Sequence, residues 1–139
     1  MAVAGYVVDK SAVARAHLSE VGEVLTNLRR AGLLAICGVA ELEILYSARN
    51  GGDHHQIQEE LGATYERLDT DEHDFLRARE IQAELAEHGQ HRAVSLPDLL
   101  IAAVAERHRV AVLHFDADFD LIAEITGQPT KWVVPRGSV

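Results

Sequence analysis

The sequence has little cysteine and no long uninterrupted apolar run. Its one cysteine, Cys37, cannot form an internal disulfide, which agrees with a reducing compartment, and its apolar surroundings predict a core position. Charged residues such as Asp98 and Glu106 interrupt the apolar segments well before the roughly 20 residues that span a bilayer. The first residues lack a basic stretch and meet Asp9 too early for a signal peptide. We therefore expect a cytoplasmic protein.

Several common ligand-binding motifs are also missing. There is no P-loop and no GxGxxG, so a nucleotide cofactor is not indicated. Acids alternate in DADFD, but an EF-hand would need Gly and Glu where this chain has Leu121 and Gly127. Two histidine pairs have no cysteine or third histidine nearby to complete a zinc site: His54 with His55, and His88 with His91.

The overall composition is that of a folded protein with an excess of acid. Of 139 residues, 47% are apolar and 25% are charged, which excludes a disordered or collagen-like chain and fits a single domain over residues 1–139. Acidic residues outnumber Lys and Arg by 22 to 13. Since phosphate binding depends on Lys and Arg, nucleic-acid binding would require localised positive charge. Three arginine pairs are candidates, although each is explained more simply as a solvated helix face: Arg29 with Arg30, Arg77 with Arg79, and Arg107 with Arg109.

Short apolar segments alternate with helix-like segments along the chain. The predicted strands are VAGYVV (3–8), LLAIC (33–37), VAVLHF (110–115) and KWVV (131–134). The predicted helices start near Ser11, span 19–32 and 39–49, occupy two segments within 54–89, and span 95–108 and 116–127. This alternation predicts a three-layer α/β/α sandwich with a central, mainly parallel sheet.

Residues at the ends of these segments predict where the helices begin and end. Ser11, Ser19 and Ser95 are favourable N-caps, whereas Gly32 and Gly127 are favourable ends.

The segment 50–89 is the most polar part of the chain. Asn50-Gly51-Gly52 predicts a loop, and the residues that follow predict a helical hairpin lying on the core, with its second helix starting near Thr70. The inward face of that helix is predicted to contain Phe75, Leu76, Ala78, Ile81 and Leu85.

Three acidic residues lie where a parallel sheet would bring them together. Asp9 directly follows the first strand, and Asp116 lies just beyond VAVLHF, so both are expected at the carboxyl edge of the sheet. Asp98 lies in the first turn of the apolar helix that follows Ser95. Neighbouring carboxylates repel one another unless a hard cation bridges them or one holds a proton. The pattern indicates a cation site with oxygen ligands.

Four segments of the chain resemble the PIN domain, and within it the VapC-type toxins of bacterial toxin–antitoxin pairs. The resemblance covers essentially the whole chain and rests on VVDKSA, ELEILYSAR, SLPDLLIAAVA and LHFDADFD, in that order. It implies a Mg²⁺- or Mn²⁺-dependent endoribonuclease that leaves 5′-phosphate and 3′-hydroxyl ends. It also implies a homodimer and a cognate VapB-like antitoxin that covers the acidic cleft.

The resemblance assigns the catalytic and metal-binding acids. The family's first, third and fourth acids correspond to Asp9, Asp98 and Asp116. The second acid is Glu43 or Glu41, which lie roughly 200° apart on a helix and cannot share a face. The family pattern E-x-x-Y followed by a small residue matches EILYS, which favours Glu43 and leaves Glu41 as the alternative.

Three more residues fall at the edge of the predicted site. Asp118 is an additional carboxylate and the most suitable added ligand if a second ion joins. Ser11 combines the properties of a helix cap with those of a hydrogen-bond partner of the site. His114 stands where many relatives have Ser or Thr, and an imidazole can hydrogen-bond a ligand only in a suitable tautomer. We expect His114 to support the site rather than to catalyse.

Two functions other than RNA cleavage are also compatible with this sequence. A signalling receiver domain also gathers acids around Mg²⁺, but it would need paired acids after the first strand, where this chain has Lys10 after Asp9. A PIN fold kept only for binding is the second alternative. The RNA target, whether tRNA, rRNA or mRNA, and the number of ions stay open.

Overall fold

A computed structural model describes residues 5–139, in which short strands alternate with helices. The elements in chain order are β1 (Tyr6–Val8), α1 (Lys10–Val13), α2 (Ser19–Arg30), β2 (Leu34–Cys37), α3 (Gly38–Tyr46), α4 (Gly51–Thr64), β3 (Glu66–Leu68), α5 (Glu72–Glu87), α6 (Leu96–His108), β4 (Ala111–His114), α7 (Asp118–Thr126) and β5 (Thr130–Trp132). Val3 and Ala4 of the predicted first strand lie outside the described residues. No helix within residues 5–139 is long and apolar enough to cross a membrane.

The five strands form one parallel sheet in the order β3-β2-β1-β4-β5. The central strand β1 pairs with both β2 and β4, and Tyr6 is in register with Leu34 and Ala111. The predicted α/β/α fold with a central parallel sheet is therefore confirmed. Since β1 and β4 are neighbours, residues that follow Val8 and His114 emerge side by side.

Helix α6 forms the centre of the core. Its residues Leu99 and Ile101–Ala105 are buried, as expected for a helix that is apolar on all sides. The predicted cap is confirmed, because Ser95 Oγ accepts a hydrogen bond from the Asp98 backbone N–H at 3.3 Å. The predicted burial of Cys37 in the same core is also confirmed. Burial of α6 fixes its first turn, and with it Asp98, against the sheet.

The segment 50–89 differs from its prediction in two places. Asn50 does not lead into a loop but caps α4, since its side chain accepts a hydrogen bond from the Asp53 N–H at 2.9 Å. Strand β3 lies between the two predicted helices and was not anticipated, because an edge strand of sequence ERL with exposed residues has no apolar alternation. The predicted hairpin is therefore wrong and is replaced by a helix, an edge strand and a helix.

Several side-chain predictions for the helices were also wrong. Phe75 and Leu76 are 51% and 47% exposed rather than inward, whereas the predicted burial of Ile81 and Leu85 on the same helix is confirmed. Ser19 is the first residue of α2 and not its cap. The predicted ends are confirmed at Gly32 and Gly127, where both residues have positive φ.

Candidate active site

Asp9 is placed by the end of the central strand. It is fully buried and is the N-cap of α1, because its Oδ2 accepts a hydrogen bond from the Ser11 N–H at 3.0 Å. The prediction that Ser11 caps this helix was therefore wrong. The backbone N–H of Asp9 donates to the Leu113 carbonyl at 2.9 Å, which ties the turn to β4. Its other oxygen, Oδ1, is buried and has no hydrogen-bond partner within the described residues.

Asp98 reaches the same region from the first turn of α6. It is only 3% exposed, and its Oδ2 also has no hydrogen-bond partner among the described residues. Burial, the neighbouring Asp118 side chain and the charges of Asp9 and Asp116 raise the pKa of Asp98 to about 9. Without a bound cation, Asp98 therefore holds a proton at neutral pH.

Asp116 and Asp118 lie in the turn between β4 and α7. Asp116 Oδ1 accepts a hydrogen bond from the Asp118 N–H at 2.9 Å, which orients the carboxylate. Asp118 Oδ2 in turn accepts from the Ser95 N–H at 3.1 Å. Asp118 therefore connects this turn to the start of α6, the helix that carries Asp98.

The three carboxylates of Asp9, Asp98 and Asp116 converge. Each offers one oxygen, and these oxygens all lie within 4.8 Å of one another. Burying carboxylates without partners is costly, and two oxygens here are buried and unpaired. A hard divalent cation such as Mg²⁺ or Mn²⁺ takes carboxylate oxygens and would neutralise them. The residues present fit such an ion.

The two glutamates of α3 point to different partners. Glu41 Oε1 accepts from Arg67 Nε at 2.8 Å, beside the edge strand β3. Glu43 Oε2 lies 3.2 Å from Lys10 Nζ, and its Oε1 is buried without a partner in the described part of the chain. Glu43 is not among the acids that converge within 4.8 Å, but it is linked to them through Lys10, which follows Asp9 directly and is influenced by the charges of Asp9 and Asp98.

Ser11 and His114 support the turns that carry the acids. Ser11 Oγ accepts a hydrogen bond from the Phe115 N–H at 2.8 Å. His114 is fully buried, and its Nδ1 accepts from the Asp116 N–H at 3.1 Å, which places its proton on Nε2. Burial lowers the pKa of His114. His114 is therefore a neutral acceptor that orients the turn at Asp116.

Two contributors to this region were not anticipated from the sequence. The ion pair between Lys10 and Glu43 brings a positive charge to the acids. Trp132, at the end of β5, packs 5.0 Å from the His114 ring, centroid to centroid. The position of Lys10 directly after Asp9 was the available signal for the first, whereas the second depends on strand register.

Comparisons with known proteins agree on one family. The model of the PIN domain matches residues 6–125. The chain is 47% identical to Ribonuclease VapC21 of Mycobacterium tuberculosis over 96% of each chain. It is 40% identical to Ribonuclease VapC51 of the same organism, again over 96% of each.

Solved structures share the fold at lower sequence identity. VapBC2 from Rickettsia felis, bound to a DNA fragment from its promoter, matches with a TM-score of 0.73 and 20% identity, over 91% of this chain and 98% of that one. DNA-bound VapBC from Salmonella typhimurium matches with a TM-score of 0.73 and 18% identity, over 94% and 98%. These likenesses concern the fold.

Proposed function

Because this chain belongs to the PIN-domain family, we propose that it is a Mg²⁺- or Mn²⁺-dependent endoribonuclease and the toxin of a toxin–antitoxin pair. The observation that carries this proposal is the convergence of Asp9, Asp98 and Asp116 within 4.8 Å, with buried carboxylate oxygens left unpaired. The relatives named ribonuclease supply the reaction class. We expect the reaction to take place in the cytoplasm and to leave 5′-phosphate and 3′-hydroxyl ends.

In this proposal the role of each acid follows from its position in the site. Asp9, Asp98 and Asp116 would hold the cation, and Glu43 and Asp118, which are not among the three converging acids, would serve as further ligands. When bound, the cation would lower the pKa of a water molecule and offset charge on the scissile phosphate. Hydrogen bonds from the backbone N–H groups of Ser11 and Asp118 fix Asp9 and Asp116 before any substrate arrives. Such fixed geometry reduces the reorganisation that the reaction requires.

The sheet order argues against the receiver-domain alternative. Receiver domains have the flavodoxin-like strand order 2-1-3-4-5. This chain has the order β3-β2-β1-β4-β5. The remaining alternative is a PIN fold that binds without catalysis.

The proposed partners are an antitoxin and a second copy of the chain. Several structures of similar fold are VapBC or toxin–antitoxin complexes, including one from Klebsiella pneumoniae. We infer that a VapB-like protein covers the acidic cleft and inhibits cleavage. Co-expression with the product of an adjacent small gene, followed by size-exclusion chromatography, tests the antitoxin and the dimer together.

Cleavage of a structured RNA by the purified protein with Mn²⁺ tests the central claim. We expect Asp98→Asn to lose at least about 100-fold in activity, since electrostatic groups in active sites contribute on this scale. Asp53→Asn, which removes the same charge near the start of α4, is the matched control and should cleave normally. Equal cleavage by Asp98→Asn and the wild type would overturn the assignment, and failure of all proteins to bind Mn²⁺ would favour the non-catalytic alternative.

A further inference from the structure

We propose that Arg15, Phe115, Trp132 and Arg136 form a stacked ladder that binds the phosphate backbone of an RNA strand beside the carboxylates. This inference rests on the proposed function and adds to it a surface that guides the substrate. We call these four residues the ladder.

The ladder is continuous from one arginine to the other. The guanidinium carbon of Arg15 lies 4.4 Å from the centroid of the Phe115 ring. The Phe115 and Trp132 rings meet edge to face, with centroids 5.2 Å apart and an interplanar angle of 82°. The guanidinium carbon of Arg136 lies 5.5 Å from the Trp132 ring centroid. These distances are those of cation–π and aromatic pairs.

The ladder lies at the carboxyl edge of the sheet, where the acids emerge. Arg15 Nη1 donates to the Ser11 carbonyl at 2.8 Å, and the Ser11 N–H donates to Asp9. Phe115 directly precedes Asp116, and its N–H donates to Ser11 Oγ. Ser11 therefore joins the ladder to Asp9, and Asp116 follows the ladder residue Phe115 in the chain.

The charges of the two ladder arginines are not consumed by ion pairs. Within residues 5–139, the ion pairs formed by arginine involve four other residues: Arg49, Arg67, Arg77 and Arg107. The ladder arginines instead lie over aromatic rings, which restrict the freedom of their guanidinium groups. An arginine held in this way loses less freedom when it binds a phosphate.

The chemistry of the ladder favours RNA over an acidic protein segment. Arginine forks match phosphate geometry, and single-stranded RNA is bound by surfaces that combine basic and aromatic side chains. Phosphate binding by a chain of net charge −9 requires localised positive charge, and the two ladder arginines would supply it beside the carboxylate cluster.

Binding of a labelled, short, mixed-sequence single-stranded RNA tests the ladder. Fluorescence anisotropy in EDTA measures affinity without cleavage, and Trp132, the one tryptophan of the chain, reports contact through its own fluorescence. The double variant Arg15→Gln/Arg136→Gln should bind roughly tenfold or more weakly. Its slope of log affinity against log salt should fall by about 1.4, or about 0.7 per lost phosphate contact.

The matched control is Arg29→Gln/Arg30→Gln, which removes the same charge at the end of α2, before the start of β2. The control should bind like the wild type. Equal affinity of the ladder variant and the wild type, or equal weakening in the control, would overturn the inference. A Trp132 response to polyglutamate with none to RNA would also overturn it, in favour of an acidic protein partner. If the double variant does not fold by circular dichroism, Arg136→Gln alone, in the exposed C-terminal segment, gives the same comparison.

This test separates the ladder from the proposed function, because binding is measured without a divalent cation. Failure of the wild type to cleave RNA with Mn²⁺ would overturn the proposed function and leave the binding result standing. Normal cleavage by the ladder variant with an unchanged KM would overturn the ladder alone.

Discussion

The ammonium group of Lys10 lies 3.2 Å from Glu43 Oε2, so a positive charge of the chain itself already pairs with a predicted cation ligand. The hydrogen bond to Glu43, aided by the charges of Glu43, Asp9 and Asp98, raises the pKa of Lys10. Lys10 therefore stays charged at neutral pH. A divalent cation that uses Glu43 must displace this ammonium or share the carboxylate with it.

Replacing Lys10 should strengthen cation binding. In Lys10→Met the competing charge is removed while most of the aliphatic side chain is kept, and we expect Mn²⁺ to bind roughly three- to tenfold more tightly by calorimetry. Lys10→Arg should bind like the wild type. Lys131→Met, the change at the chain's other lysine, which lies on β5 over the Tyr6 ring, is the control. Weaker Mn²⁺ binding by Lys10→Met would show that the lysine supports the site rather than competing for it.

The two glutamates of α3 should respond differently to the same substitution. Glu43→Gln removes a carboxylate beside the cluster and should weaken Mn²⁺ binding about tenfold, since a charged ligand becomes neutral. Glu41→Gln removes only an ion pair with the exposed Arg67 and should leave Mn²⁺ affinity unchanged. Calorimetry on both variants settles which glutamate serves the site, and the reverse pattern would assign Glu41.

The placement of the carboxylates could be predicted because it follows from strand topology. Asp9 and Asp116 each follow an apolar strand, and parallel neighbours bring such residues to one edge. Asp98 could be predicted because Ser95 and Pro97 mark the start of a helix too apolar to lie anywhere but the core. In each case a local sequence pattern was enough to place the carboxylate at the carboxyl edge of the sheet.

The rest depended on contacts between distant elements. The pairing of Lys10 with Glu43 requires the packing of α1 on α3, which no local pattern specifies. Phe75 and Leu76 fit the apolar periodicity of α5 but fall on its exposed side, because the helix is rotated to bury Asp74. Periodicity therefore predicted this helix and its buried residues Ile81 and Leu85, but it drew the apolar face too wide at the first turn.

The cation-free protein should lose stability as the pH rises from 7 to 9. The pKa of Asp98 is about 9 in the fold and about 3.9 in an unfolded chain, so between these values the native state binds more protons. The contribution of Asp98 to stability therefore falls as the pH rises, and it is lost once the pH passes the folded pKa. The side chain in Asp98→Asn cannot ionise, so thermal melts of this variant in EDTA should depend less on pH. At pH 9 its melting temperature should exceed that of the wild type by on the order of 5 °C.

Two comparisons check that this pH dependence belongs to Asp98. Asp53→Asn should keep the wild-type slope between pH 7 and 9. Added Mn²⁺ should stabilise the wild type more at pH 9 than at pH 7, because Asp98 is protonated in a smaller fraction of the molecules at pH 9 and fewer protons must be released on binding. An unchanged slope in Asp98→Asn would contradict the raised pKa.

A second buried carboxylate, Asp74, should matter for stability and not for cleavage. Its side chain is 1% exposed, and it accepts hydrogen bonds from Arg107 Nε at 2.8 Å and Nη2 at 3.0 Å. Burial opposes ionisation, but the bonds from Arg107 prevail and hold the pKa of Asp74 below its usual range. Asp74→Ala should lower the free energy of unfolding in urea at pH 7 by about 2 kcal/mol, since it removes both a partner of the partly exposed Arg107 and half of the capping box of α5. Glu80→Gln, which removes an exposed partner of Arg77, should cost less than about 0.5 kcal/mol.

Since the folded pKa of Asp74 is depressed, its contribution to stability should be complete above the unfolded pKa and disappear as the pH falls through the folded value. Equal stabilities of the two variants would show that the Asp74 pair contributes no more than a surface contact.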